Sequence, residues 1–259
     1  MKALRNSLFV LALSPLVACG GSLAQSDDGQ TAADSADTAD VTTALSSLTS
    51  DGSDMAAATG DAAAAGAKAG VMAKLNPSGC VTANAVANVV SYTFNNCTGP
   101  YGLVKLTGTV TATYTKANAG ASLAVALTST NLAVNGAQVS LNSTSVISGP
   151  PTARTATVTT MSSATTANGK SISHSGAYTA KWDGMCVSLD GAFSTKVGLA
   201  SWNTVVTGYK RCSGVCPESG KVVINGAGGT ATISYTGSTV ALVLTSGGDT
   251  GTITLACGK

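Results

Sequence analysis

The chain contains few charged residues, few aromatic residues and a single histidine. Charged residues are 10% of the 259 residues and aromatic residues 4%, whereas about a quarter of a typical soluble domain is charged. Because aromatic side chains are scarce and no Arg/Lys cluster is present, the sequence gives no support for nucleic-acid binding. The lone His174 has no second imidazole to share a metal with. We therefore expect no metal, no other cofactor and no nucleic-acid partner.

The sequence also lacks the patterns of common catalytic sites. A Ser-His-acid hydrolase would have to use His174, but the chain has no G-x-S-x-G motif. Glycoside hydrolysis needs two facing carboxylates, and the acids after residue 66, each in or beside a predicted turn, are Asp183, Asp190, Glu218 and Asp249. We therefore predict that the protein is not an enzyme, and that His174 has a structural or surface role.

The few charges are separated by sign along the chain. Residues 19–66 contain eight Asp and no Lys or Arg, while residues 67–259 contain twelve basic and four acidic residues, a net charge of 12 − 4 = +8. This pattern predicts an acidic stalk that carries a mildly basic body. Such a body would be attracted to anionic glycans or lipid headgroups. Because the lysines are scattered, solubility alone is the simpler interpretation.

The N-terminus has the organisation of an export signal. Lys2 and Arg5 precede an apolar run from Leu8 to Val17, which is too short to span a bilayer as a permanent helix. Leu16-Val17-Ala18-Cys19 resembles the lipobox of bacterial lipoproteins. The resemblance implies a signal peptide over 1–18 and a lipid on Cys19 that holds the exported protein in a membrane, although an ordinary secretory signal is the alternative. Gly20 resembles the outer-membrane sorting class, so we expect an outer-membrane location, on the periplasmic face or the cell surface.

Three further segments follow the predicted signal peptide. Residues 19–53 are rich in Ser, Thr, Ala and Asp, which predicts a flexible acidic tether. Residues 54–76 are Ala-rich and predict a helix, with Asp54 as its N-cap and Asn76-Pro77 as its stop signal. Residues 77–259 predict a β domain.

Alternation of apolar and polar residues predicts strands throughout the β domain. From Val104 to Thr115 apolar residues share one face and mostly Thr residues the other, a period of two that no helix has. The apolar faces of later strands are predicted at Leu123, Val125 and Leu127; Val139 and Leu141; Tyr178, Ala180 and Trp182; and Val240, Leu242 and Leu244. Turn dipeptides separate these runs: Asn135-Gly136, Asn168-Gly169, Asp183-Gly184, Asp190-Gly191, Asn225-Gly226 and Gly247-Gly248. The sequence therefore predicts an antiparallel meander of about ten to thirteen strands, forming a sandwich or a curved open barrel with the helix packed on it.

Six cysteines besides Cys19 predict disulfides in an oxidising compartment. The C-x₃-C spacing of Cys212 and Cys216 makes a redox or metal site a weak interpretation. Proximity in sequence favours three pairs: Cys80–Cys97, Cys212–Cys216 and, by remainder, Cys186–Cys257. The rival pairing is Cys186–Cys212 with Cys216–Cys257.

Trp182 and Trp202 stand out in a domain that is poor in aromatic residues. They are candidate ligand contacts because an indole can stack on a sugar ring or a lipid, although core filling is the simpler role. The whole chain resembles the Thr/Gly/Val-rich surface lipoproteins of diderm bacteria. We expect a non-enzymatic, lipid-anchored envelope protein with a structural or adhesive role. The alternative is a periplasmic carrier of lipids or lipoproteins with a half-barrel cavity.

Overall fold

The computed structural model describes residues 59–72, 75–98, 105–116, 122–134, 136–149, 153–165, 169, 171–183, 186–212, 216–248 and 250–254. The predicted signal peptide, Cys19, the predicted tether, Asp54, Asp249 and Cys257 lie outside these residues. Within the described residues, one helix, α1 (Gly60–Met72), precedes thirteen strands: β1 (Val81–Val86), β2 (Val89–Thr98), β3 (Lys105–Lys116), β4 (Ser122–Val134), β5 (Ala137–Ser148), β6 (Ala153–Thr165), β7 (Ser171–Asp183), β8 (Cys186–Val197), β9 (Ala200–Cys212), β10 (Ser219–Gly226), β11 (Gly229–Tyr235), β12 (Val240–Thr245) and β13 (Thr250–Thr254).

The strands form one antiparallel sheet in which spatial order follows sequence order from β1 to β13. The predicted meander with an N-terminal helix is therefore confirmed. Over the described residues the hydrogen-bonded ladder is continuous, so the strands do not divide into the two sheets of a sandwich. One face of the sheet carries the hydrophobic core.

Strand β3 shows how the sequence assigns the two faces. Four of its alternate side chains are at most 1% exposed: Leu106, Val110, Ala112 and Tyr114. Lys105 and the threonine side chains of the strand occupy the opposite face. The same alternation buries the apolar residues predicted for β4 and β5, and Tyr178 and Ala180 of β7. We call the buried side the core face and the Thr-rich side the outer face.

In strand β12 the residues on the core face are not the ones that the sequence predicted. Its predicted core residues are the exposed ones, with exposed fractions of 38%, 51% and 46% for Val240, Leu242 and Leu244. The reason is its pairing with β11, because directly opposed residues lie on the same face of a sheet. Ile233 is 1% exposed and pairs with Val243. That pairing directs Val243 to the core face and its neighbours outward.

Asp190-Gly191 was predicted to be a turn, and it lies inside β8 instead. The register of β8 against β9 shifts between Leu189 and Gly191, as at a β-bulge. Gly191 also lies close to β7, because a Cβ atom there would overlap Tyr178. Pairing along β7 and β9 on both sides therefore overrides the local turn preference.

Helix α1 lies against β1, β2 and β3. It begins at Gly60, where Ala62 N donates to Thr59 Oγ1 at 3.2 Å, so the N-cap is Thr59 rather than Asp54. It ends at Met72, before the predicted stop signal. Its buried residues are Ala63, Ala64, Ala67 and Val71, and these small side chains let it pack closely on the sheet. No helix within the described residues is long and apolar enough to cross a membrane.

Candidate functional site

A group of polar side chains interrupts the apolar core face in the middle of the sheet. Ser162 on β6 lies opposite His174 on β7, which lies opposite Thr195 on β8. Thr160, two residues before Ser162, is on the same face. All four residues are at most 6% exposed. We call Thr160, Ser162, His174 and Thr195 the polar cluster.

Hydrogen bonding within the polar cluster is incomplete. His174 Nδ1 lies 2.8 Å from Thr195 Oγ1. Three other atoms are buried and lack a hydrogen-bond partner in the described structure: His174 Nε2, Thr160 Oγ1 and Ser162 Oγ. Leaving a buried polar group without a partner costs about 1–3 kcal/mol. Three such atoms side by side therefore mark a place where the structure has unused capacity for hydrogen bonds.

Burial controls the charge of His174. Loss of hydration lowers the pKa of its imidazole from 6.5 to about 4. The ring is therefore neutral at pH 7, with one nitrogen as donor and the other as acceptor. Its partner Thr195 has a hydroxyl group that both donates and accepts, so His174 Nε2 can take either role toward a third group.

An aromatic ring borders the polar cluster. The ring centroid of Phe193 on β8 lies 5.5 Å from that of His174 and 6.1 Å from that of Tyr178, the latter in an edge-on arrangement. Gly176, the cross-strand partner of Phe193 on β7, makes this possible. A Cβ atom at Gly176 would come within 2.9 Å of the Phe193 ring, so the missing side chain lets the ring lie across β7.

A partly accessible row of residues runs beside the polar cluster on the core face. Cross-strand pairing aligns Gly176, Phe193, Thr204, Ile224 and Ala231 on β7 to β11. All five residues are half-buried, although most of the core face is fully buried. We call them the half-buried row, which spans four strand spacings, or about 19 Å. These five positions are therefore less shielded from solvent than the fully buried positions of the core face beside them.

Of the two tryptophans, the structure describes the side chain of Trp202 only. Trp202 lies opposite Thr195 on the core face and is 7% exposed. Gly226, its partner on β10, leaves room for the indole, because a Cβ atom there would overlap the ring. Trp202 therefore offers no ring to a glycan on the outer surface. Trp182 lies on β7 opposite Arg154, and its side chain is outside the described residues.

The disulfides correct the favoured pairing. Cys80–Cys97 is confirmed. Cys186 pairs with Cys212, so the predicted Cys186–Cys257 and Cys212–Cys216 bonds are wrong and this half of the rival pairing is confirmed. The reason is the β8–β9 hairpin, which places the two residues directly opposite each other.

Cys216 is also disulfide-bonded. Its rival partner Cys257 is outside the described residues, so that bond stays a prediction. Glu218 lies near Cys186 and Cys212 in an arrangement that a metal ion could use. The disulfide between the two sulfur atoms leaves no thiolate there to bind one.

The acidic side chains described by the structure act locally at the surface. Asp190 accepts a hydrogen bond from Gly208 N at 2.6 Å, next to the bulge of β8. Glu218 lies 3.4 Å from Lys210 Nζ in an ion pair between half-exposed side chains. His174 forms its hydrogen bond with the Thr195 hydroxyl rather than with either acid.

The sequence predicted a structural or surface role for His174 but did not indicate the polar cluster. Its members come from three strands, and Ser and Thr are common on both faces of this sheet. The signal available was spacing, because residues 172, 174 and 178 share a face when the strand alternates regularly. No protein-family model, curated protein or solved structure matches the chain.

Proposed function

We propose that this protein is a non-enzymatic cell-envelope lipoprotein, anchored through acylated Cys19, whose β domain has a structural or adhesive role. The observation that carries the proposal is the pair of disulfides, which join β1 to β2 at their ends and β8 to β9. Bonds of this kind persist in oxidising compartments outside the cytoplasm. They agree with the export signal and with the lipobox that ends at Cys19.

The surroundings of His174 support a non-enzymatic role. A catalytic histidine is oriented by a third group and lies within reach of a nucleophile and substrate. His174 is instead 2% exposed and pairs with a threonine hydroxyl. Asp190 and Glu218 take part in surface contacts that stabilise β8, β9 and the segment leading into β10.

The outer face supports contact with other envelope components. Its exposed side chains are mainly Thr, Ser and Asn, and exposed lysines are spread over four strands: Lys105, Lys181, Lys196 and Lys221. Hydroxyl and amide groups with dispersed positive charge suit many weak contacts with anionic glycans or lipid headgroups. Since Trp202 is buried, these contacts would be polar rather than aromatic.

The alternative role is that of a carrier of lipids or lipoproteins, and the contacts between α1 and the sheet favour it less than the structural or adhesive role. A carrier of that kind needs an open apolar trough. The Ala63, Ala64 and Ala67 side chains of α1 are fully buried, at 0% exposure. At the start of the helix a Cβ atom on Gly60 would overlap the Tyr114 carbonyl oxygen. The helix therefore lies directly on the sheet at these positions.

The anchor is tested by changing Cys19→Ala in cells, with Ser22→Ala as the matched control. We expect the Cys19→Ala protein to move from the membrane fraction to the soluble periplasmic fraction, while the control stays with the membrane. If the Cys19→Ala protein remains in the membrane pellet, the anchoring proposal is wrong. Protease treatment of intact cells then separates the two roles, because an adhesive protein is cleaved and a periplasmic one is protected.

A further inference from the structure

We propose that the core face around the polar cluster binds a small uncharged amphiphile, a molecule with a hydroxyl-bearing head and an apolar body. The head would pair with His174 Nε2 and with the Thr160 and Ser162 hydroxyls, and the body would lie along the half-buried row. This site goes beyond the proposed envelope function and does not depend on the lipid anchor.

The first argument is the unused hydrogen-bonding capacity. Three buried polar atoms on two adjacent strands lack partners in the described structure, although more than nine in ten buried polar groups in proteins have one. The residues that carry them are 94% or more buried, with exposures of 1% for Thr160, 6% for Ser162 and 2% for His174. A shared guest would satisfy all three at once, because Thr160 and Ser162 are adjacent on one face of β6 and His174 lies opposite Ser162.

The second argument is access. Phe193 contacts His174 through its ring and is itself half-buried, so the polar cluster lies next to a solvent-accessible position. From Phe193 the half-buried row continues through Thr204 to Ile224 and Ala231. These residues offer apolar contact area for a chain or ring that enters along the row.

The third argument concerns charge. The polar cluster contains hydroxyl groups and a neutral imidazole, none of which balances a full charge. On the core face, the nearest cation in sequence on β6 is Arg154, six residues from Thr160 and therefore about 20 Å along the strand. A buried ion without a partner is strongly disfavoured. The site therefore selects an uncharged head over a carboxylate or an ammonium group.

The single histidine makes the test direct. Full-length protein carrying Cys19→Ala, so that no lipid on Cys19 contributes, is labelled with ¹⁵N-histidine and titrated with octyl glucoside below its micelle concentration. We expect the His174 Nε2 resonance to shift and saturate. Octanoate, with a similar chain and a charged head, should bind at least about tenfold more weakly. Glucose, which lacks the chain, should also bind at least tenfold more weakly.

Two variants assign the binding to the polar cluster. Thr160→Val keeps the shape but removes one hydroxyl, and we expect it to weaken octyl glucoside binding about three- to tenfold, the effect of one hydrogen bond. Its thermal midpoint without the probe should stay level or rise, because an unpartnered buried hydroxyl is lost. Phe193→Leu should also weaken binding. Ser194→Ala, on the outer face beside Phe193, should leave it unchanged.

Three outcomes would overturn the proposal. They are no saturable shift of the His174 resonance, an equal response to octanoate, and unchanged binding by Thr160→Val. A cluster that holds buried water alone would give the first outcome, with magnetisation transfer between water and the imidazole N–H proton. In that case Thr160→Val should lower the thermal midpoint, because the hydroxyl would lose a water partner.

Discussion

The burial of His174 makes the stability of the fold depend on pH in a defined window. Its pKa falls from 6.5 in the unfolded chain to about 4 in the folded protein. Between these values the unfolded chain binds a proton that the folded protein does not, so stability falls as the pH is lowered. The contribution of the neutral, buried imidazole to the free energy of unfolding is fully present above about pH 6.5. It is lost as the pH approaches 4, and the difference in pKa corresponds to about 3 kcal/mol.

Urea unfolding followed by tryptophan fluorescence, from pH 4 to pH 8, measures this effect. His174→Gln removes the titration and keeps a polar side chain. We expect the free energy of unfolding of the natural chain, minus that of the variant, to fall by about 3 kcal/mol between pH 7 and pH 4. Ser173→Ala, on the outer face of the same strand, should follow the natural chain at every pH. A difference that is constant with pH, or that grows in acid, would refute the buried neutral imidazole.

Two further predictions concern the sheet. Replacing Cys186 and Cys212 together by Ser should lower the free energy of unfolding by about 3.5 kcal/mol, because the two cysteines are separated by 26 positions in the sequence. Replacing Cys80 and Cys97 should lower it by about 3 kcal/mol, because their separation is 17. Denaturant unfolding measures both, and a non-reduced peptide map that links Cys186 to Cys257 would contradict the first. Gly191→Ala should cost about 1–3 kcal/mol because its methyl group would overlap Tyr178. At Gly251 an added methyl group would have no atom within 4 Å, so Gly251→Ala should change the free energy of unfolding by less than about 0.5 kcal/mol. Equal thermal midpoints for the Gly191→Ala and Gly251→Ala variants would count against the close β7–β8 contact.

Most of the fold was predictable because local patterns and long-range pairing agree along β2 to β9. In β3 the apolar positions are flanked on both sides by Thr or Lys, so only one face is suited to the core. In β12 both faces are apolar, since Ala241 and Val243 alternate with Val240, Leu242 and Leu244. Its orientation depends on its register with β11, which the pattern of β12 alone does not contain.

The candidate site was less predictable, because its residues meet through pairing rather than through sequence spacing. His174 and Thr195 are 21 residues apart and become neighbours when β7 pairs with β8. The disulfide error has a similar origin. Proximity favoured Cys212 with Cys216, whereas Cys186 lies 12 residues before Gly198 and Cys212 lies 13 residues after Leu199. Regular pairing outward from this turn would place Cys186 opposite Arg211, and the register shift between Leu189 and Gly191 moves the partner by one residue to Cys212.

The N-terminal peptide of the protein isolated from cell envelopes tests the central claim most directly. Mass spectrometry should find a mature chain that begins at Cys19, with a diacylglyceryl group on the sulfur and residues 1–18 removed. Ser22 and the following residues should carry no lipid. An unmodified Cys19, or a chain that begins at any other residue, would contradict the lipoprotein account.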